Sequence, residues 1–248
     1  MLQYPKMILF DYGHTLLYEP DIDTLRGERE LFRFVRDNPN NVSPEQADAF
    51  AQELFRELDQ ARKDGFEVHE YPAFRYIYEY LGLTFRVSLE EAERIFFHAA
   101  FPGEVMPESR ELLRSLKERG IRTAVISNIS FSGSVLTERI NALLPENEFE
   151  FILASSEYCF RKPSPRLFRL ALRKTGLEPE QVWYCGDNPV ADVEGASRAG
   201  LYPVWFDSGV DRESLCGMHT APPSCEHLHI RHWHQLLAVL DRLSKGKQ

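Results

Sequence analysis

Five short apolar runs, most of them separated by helix-length segments, constrain this chain more than any other feature. They read MILF at residues 7 to 10, RTAVIS at 122 to 127, FILA at 151 to 154, VWYCG at 182 to 186 and YPVWF at 202 to 206. Each is bounded by polar, Gly or Pro residues, as strands are. Helix signals lie between the later ones: Ser164 and Pro165 supply a cap and a proline at the first helical position ahead of Leu167, Leu170 and Ala171. Strand alternating with helix implies an α/β fold with a doubly wound, Rossmann-like parallel sheet.

The stretch from about 20 to 100 differs in kind, being nearly all helix pattern. Ser43-Pro44-Glu45-Gln46 reads as an N-cap with proline at the first position, leading into Ala47, Phe50, Ala51, Leu54, Phe55 and Leu58 at helical spacing. Ser88 followed by Glu91 reads as a capping box. FPGEVMPES at 101 to 109 looks like the return to the sheet, ahead of an amphipathic helix with Leu112, Leu113 and Leu116. We therefore expect residues 1–17 and 101–248 to form the core and residues 18–100 a helical insertion.

The chain has 248 residues, and with 43% of them hydrophobic it can bury a sizeable core. Its formal net charge of -9, from 29 basic and 38 acidic side chains without long single-sign blocks, argues against nucleic acid or an anionic membrane as partner. A small anionic substrate would need a local positive site. Cys159, Cys185, Cys216 and Cys225 show no CxxC spacing, so reduced thiols and a cytoplasmic location are expected. The apolar run before Asp11 is too short for a signal sequence or a membrane span. A monomer and a homodimer fit equally well.

In open α/β sheets, ligands bind beyond the carboxyl ends of the strands. Four places qualify: Asp11 after the first run, Ser127 and Asn128 after TAVI, Lys162 in RKPSP, and Asp187 after VWYCG, with Asp192 following. The segments DYGHT (11 to 15), ISN (126 to 128), RKPSP (161 to 165) and GDNPVAD (186 to 192), in that order, resemble the four motifs of the haloacid dehalogenase superfamily. The resemblance covers almost the whole chain and places 18–100 where a C1-type cap domain is inserted. It implies a hydrolase, most simply a phosphatase acting on a small phosphorylated metabolite through a covalent intermediate on Asp11. It also implies Mg2+ held by Asp11, the Gly13 carbonyl and Asp187, with Asp192 as a further candidate, and a phosphoryl group held by Ser127, Asn128 and Lys162. The chemistry is coherent, because a carboxylate attacks a phosphate dianion only where cations offset their mutual repulsion, and magnesium takes hard oxygen ligands.

The loop departs from the phosphatase pattern at Gly13, where a second aspartate normally handles the proton of the leaving alcohol. General acid–base catalysis is worth about 10²–10⁴-fold. Three readings follow: a substrate whose leaving group needs little protonation, His14 as a substitute acid/base, or chemistry other than phosphate hydrolysis. A dehalogenase loop would read Asp-x-Tyr-Gly-Thr, but here Tyr12 falls one place early. A catalytically silent metal- or phosphate-binding protein is the alternative from outside enzymology. Two further stretches have ordinary readings beside sharper ones. CEHLHIRHWH at 225 to 234 suggests a strand with exposed imidazoles, or a zinc site; YPAFRYIYEYLGL at 71 to 83 suggests a core-facing helix, or a pocket wall.

Overall fold

The computed structural model describes residues 2–210 and 221–245. Strand β1 (Met7–Phe10) runs into the Asp11 loop, and β2 (Leu17–Tyr18) leads out to the insertion. The insertion contains α1 (Thr24–Phe32), β3 (Val35–Asp37), α2 (Pro44–Lys63), α3 (Glu70–Leu81), β4 (Thr84–Phe85) and α4 (Leu89–Ala100), and the chain returns through β5 (Glu104–Val105). It then passes through α5 (Ser109–Glu118), β6 (Arg122–Ser127), α6 (Gly133–Leu143), β7 (Phe149–Ala154), α7 (Pro165–Thr175), β8 (Val182–Gly186), α8 (Gly195–Arg198), β9 (Tyr202–Phe206), β10 (Leu228–Ile230) and α9 (Trp233–Lys245). The five apolar runs all become strands of one parallel sheet, ordered β10-β9-β8-β1-β6-β7. The edge strand β10 comes from the histidine-rich stretch.

The strands are apolar throughout because both faces of the sheet are covered. Side chains alternate between faces, so Ile8 and Phe10 enter one core and Met7 and Leu9 the other. The first core is closed by Leu112 and Leu116 of α5, Leu136 and Ile140 of α6, and Trp233, Leu236 and Leu240 of α9. Trp233 stacks on Phe206 at 3.9 Å between ring centroids. The second is closed by Leu167, Phe168 and Ala171 of α7 and Ala196 of α8.

The insertion has a core of its own, in which Leu31, Phe74, Ile77, Tyr78, Phe96 and Phe97 pack with Phe131 and Val135 from the sheet domain. Its two connections are clamped together where Leu17 pairs with Val105 and Tyr18 with Glu104. Helix starts fall at the expected caps. Ser43 and Gln46 form a reciprocal capping box on α2, while Ser88 accepts from the Glu91 N–H at 3.2 Å. The insertion is not purely helical, since β3 and β4 pair antiparallel. Strands of two and three residues are too short to show a period-two pattern.

Two carboxylates sit inside this layer. Glu28 is 1% and Glu70 4% exposed. Burial pushes each up to about 8; neighbouring carboxylates add to this, chiefly Asp48 for Glu28 and Glu93 for Glu70. A folded pKa above the unfolded value makes the native state the stronger proton binder, so this contribution is full below about pH 4.5 and is lost as pH rises through about 8. Glu28→Gln should therefore gain about 1 kcal/mol or more over the parent at pH 8 and nothing at pH 4.5, as read from paired urea titrations at the two pH values.

Candidate active site

Strand β1 lies between β6 and β8, so the carboxyl ends of these three strands form the switch point of the sheet. Asp11 follows β1 directly, with its N–H bonded to the Cys185 carbonyl at 2.8 Å. Ser127, buried, ends β6, and Asp187 follows β8. Lys162 reaches this point from the loop before α7, and its Nζ donates to Asp11 Oδ1 at 2.6 Å, Asp192 Oδ1 at 2.6 Å and Tyr184 Oη at 2.7 Å. All three N–H bonds of the ammonium are thus matched. Asn128 fixes the same lysine through its backbone: Asn128 Nδ2 donates to the Lys162 carbonyl at 2.8 Å and Oδ1 accepts from the Lys162 N–H at 2.7 Å. The Asn128 amide is thereby engaged in positioning Lys162.

The GDNPVAD segment folds back on itself. Asn188 Oδ1 accepts from the Val190 and Ala191 N–H groups and starts a π-helical turn over Pro189–Glu194. That turn carries Asp192 back under Gly186, where a Cβ would overlap the Asp192 carboxyl group. The glycine before Asp187 is therefore a steric requirement. Asp192 Oδ2 accepts from the Asn188 N–H at 3.0 Å, so both its oxygens are engaged.

Sequence reasoning missed Tyr184. Its hydroxyl accepts from Lys162 and directs its proton toward the Ile126 carbonyl at 3.1 Å or Asp192 at 3.2 Å. The available signal was a phenol in a fully buried strand, which needs a partner.

Electrostatically the site is short of positive charge. Oxygens of Asp11, Asp187 and Asp192 lie within 4.8 Å of one another. Burial raises Asp11 to about 7, against the attraction of Lys162 and with the help of Asp192's charge. Asp187 is held well above the carboxylate range by burial and then by Asp192 and Asp11. Burial opposes the charge on Lys162, but Asp11 and Asp192 more than offset it, and its pKa is raised. One ammonium facing three carboxylates fits a divalent cation. Asp11 and Asp187 are the carboxylates suited to hold it, because Asp192 already serves Lys162, Tyr184 and the Asn188 N–H.

A Cβ placed on Gly13 would meet no heavy atom within 4 Å, and its backbone is outside the left-handed region. Nothing steric demands glycine there. His14, by contrast, has φ 51°, is buried, and sets its ring 6.3 Å from that of Tyr18. Tyr12 turns into the first core and donates its hydroxyl to Glu19 at 2.6 Å. Of the histidine-rich stretch only Leu228–Ile230 is strand; His232 and His234 instead stack at 5.2 Å beside Glu108. Cys159, Cys185 and Cys225 are free thiols, and Cys216 lies outside the described residues. Among the described residues no helix is long and apolar enough to cross a membrane.

A doubly wound sheet with an acid at the end of its first strand, a buried lysine against it and further acids after β8 defines a hydrolase site on a Rossmann-like core. The chain belongs to the haloacid dehalogenase-like hydrolase family, whose model matches residues 5–200. It is 35% identical over 140 residues to the phosphoserine phosphatase of Thermus thermophilus, covering 52% of this chain and about half (55%) of that protein's length. It is 27% identical over 209 residues to the glyceraldehyde 3-phosphate phosphatase of Pyrococcus furiosus, covering 82% and 81%. Among solved structures, a 2-haloacid dehalogenase from Pseudomonas syringae shares the fold with a TM-score of 0.64 at 21% identity, covering 98% of this chain and 99% of that one. A phosphatase from Thermococcus onnurineus does so at 0.59 and 20% identity, covering 94% and 97%.

Replacing Lys162 by Met leaves the buried acids without a counter-charge, a change that costs about 3–5 kcal/mol. Without the ammonium the folded carboxylates hold protons more tightly, so stability is retained at low pH and lost as pH rises through their raised pKa. Denaturant unfolding of Lys162→Met in metal-free buffer should show this deficit at pH 8 and a clearly smaller one at pH 5.

Proposed function

We propose that this hydrolase is a magnesium-dependent phosphatase for a small phosphorylated metabolite, with Asp11 as nucleophile. The observation that carries the reading is the Lys162 ammonium bridging Asp11 and Asp192 beside a third acid, Asp187, at the strand ends. A halide leaves without needing this excess of acids, and Tyr12 is committed to Glu19. The phosphatase names of the relatives that this chain resembles in sequence point the same way.

Lys162 orients the Asp11 carboxylate, and the other oxygen attacks phosphorus as the bond to the leaving oxygen breaks. Water then attacks phosphorus, the bond to Asp11 breaks, and inorganic phosphate and free Asp11 result. Ser127 steadies the phosphoryl oxygens, Lys162, whose three protons go to Asp11, Asp192 and Tyr184, offsets their charge rather than bonding them, and Asn128 acts through the Lys162 backbone. Asp11, the Gly13 carbonyl and Asp187 would hold magnesium, which would supply positive charge against the phosphate. Residues 18–100 serve as the cap that shields the site from water and selects the substrate. The free thiols and the charge balance agree with a cytoplasmic enzyme acting on a metabolite rather than on nucleic acid.

Gly13 leaves the leaving oxygen without a donor at that position, so wild type should favour esters whose leaving group needs little protonation. Steady-state rates over a series of phosphate esters graded in leaving-group pKa measure this. Wild type should show a steep dependence, and Gly13→Asp, for which there is open space, should flatten it by raising alkyl ester turnover about 10²-fold. Asp11→Asn should abolish turnover on every ester; full activity in that variant would remove the nucleophile from the mechanism.

A further inference from the structure

A cavity of about 370 Å³ lies between the insertion and the sheet domain. It adjoins the candidate active site: Asn128, which brackets the Lys162 backbone, and Arg161, the residue before Lys162, both line it. We propose that this cavity receives the leaving group of a phosphate monoester that carries a protonated amine, with Glu28, Asp48 and Glu70 holding the ammonium against phenylalanine rings. The proposal rests on the phosphatase reading given above.

Charge distribution is the first argument. Glu67 lies 3.5 Å from both Arg62 and Arg161 and also accepts from Ser155 Oγ at 2.7 Å, so it offsets one of the two guanidinium charges. Against the one that remains stands Asp48, with the protonated carboxyls of Glu28 and Glu70 beside it. An anion entering this end finds no uncompensated positive charge, whereas a cation meets Asp48 and two carboxyls that can ionise against it.

Hydrogen bonding is the second. Glu28 is 1% exposed; its Oε1 accepts from Tyr78 Oη at 3.0 Å, but Oε2 has no hydrogen-bond partner among the described residues. A buried acceptor of this kind is unusual, since buried polar atoms are nearly always paired. Asp48 receives a bond from Gln52 at 2.8 Å. An ammonium brings up to three donors to these acceptors.

The walls are the third. Phe74, Phe96 and Phe131 line the cavity, and ring faces attract alkylammonium groups in desolvated sites. The same wall already shows such a contact, with the Arg62 guanidinium 5.1 Å from the Phe55 ring centroid. Because burial raises Glu28 and Glu70 to about 8, each retains a proton that an ammonium would replace.

The test compares 4-(aminomethyl)phenyl phosphate with 4-methylphenyl phosphate. Both have aryl leaving groups, so neither depends on an acid at position 13. The ratio of kcat/KM for the two, with magnesium, should favour the amine by about tenfold or more in wild type. In Glu28→Gln, and further in Glu28→Gln/Asp48→Asn, that ratio should fall toward one, a change that general structural damage would not produce. A wild-type ratio at or below one, or a ratio unmoved by both variants, overturns the proposal. If wild type hydrolyses neither ester, it is the phosphatase reading that fails, and calorimetric titration with benzylamine against benzyl alcohol then decides the subsite. Selective benzylamine binding that weakens in Glu28→Gln upholds it, and no binding overturns it.

Discussion

The site depends on one buried ammonium. Lys162 is 3% exposed and its three protons go to Asp11, Asp192 and Tyr184, which are 151, 30 and 22 residues away in sequence. Those partners come from the end of β1, the turn after β8 and β8 itself, so the lysine ties the switch point together from three directions. A buried ion pair of this kind adds little to stability, because desolvation offsets most of the attraction. Its value is orientation: Asp11 can present only one geometry while Lys162 holds it. The Asn128 amide adds rigidity by fixing the Lys162 backbone from the next strand. The ammonium still leaves the acids in excess, and that imbalance is what suits the site to a divalent cation.

Much of this was legible in the chain. A strand buried on both faces must be apolar at every position, which is why MILF, RTAVIS and VWYCG could be read as they stand, and why residues just beyond their carboxyl ends were the natural candidates. Helix starts were legible too, since Ser43, Ser88 and Ser164 mark them by capping chemistry that is local in sequence. What could not be read was anything fixed by long-range contact. Tyr184 looked like one more apolar ring in β8, and its bond to Lys162 exists only once the loop before α7 folds over the sheet. Glu108 meets His234 across 126 residues, so the histidine-rich stretch gave no hint of its acidic neighbour. The aromatic run 71–83 reads in sequence as core or as pocket wall, and it is both: Phe74 packs in the insertion's core and lines the cavity.

Two glycines of the site show why residue type alone does not reveal role. Gly186 has no freedom to change, because the Asp192 carboxyl group occupies the place of its Cβ. Gly13 faces open space and takes no backbone conformation that a side chain would resist. The first is required by packing and the second is not. The missing side chain at position 13 is therefore a chemical property of the site, and under the proposed phosphatase reading proton handling falls to the substrate's leaving group or to His14.

The insertion's attachment sharpens this point. Its core includes Phe131 and Val135 of the sheet domain, and Glu93 accepts from both the N–H and the hydroxyl of Ser132, at 2.7 and 2.5 Å. Lifting the insertion away about the paired β2 and β5 would expose Phe131, worth about 2 kcal/mol, and exchange the two Ser132 bonds of Glu93 for bonds to water. The closed arrangement thus has an energetic advantage of its own, before any substrate arrives. Under the proposed reading, a site without its own general acid gains from that closure, because the leaving group is met by a preset cavity rather than by solvent. Selection then falls on what the leaving group can offer the cavity walls, and those walls combine rings with acids.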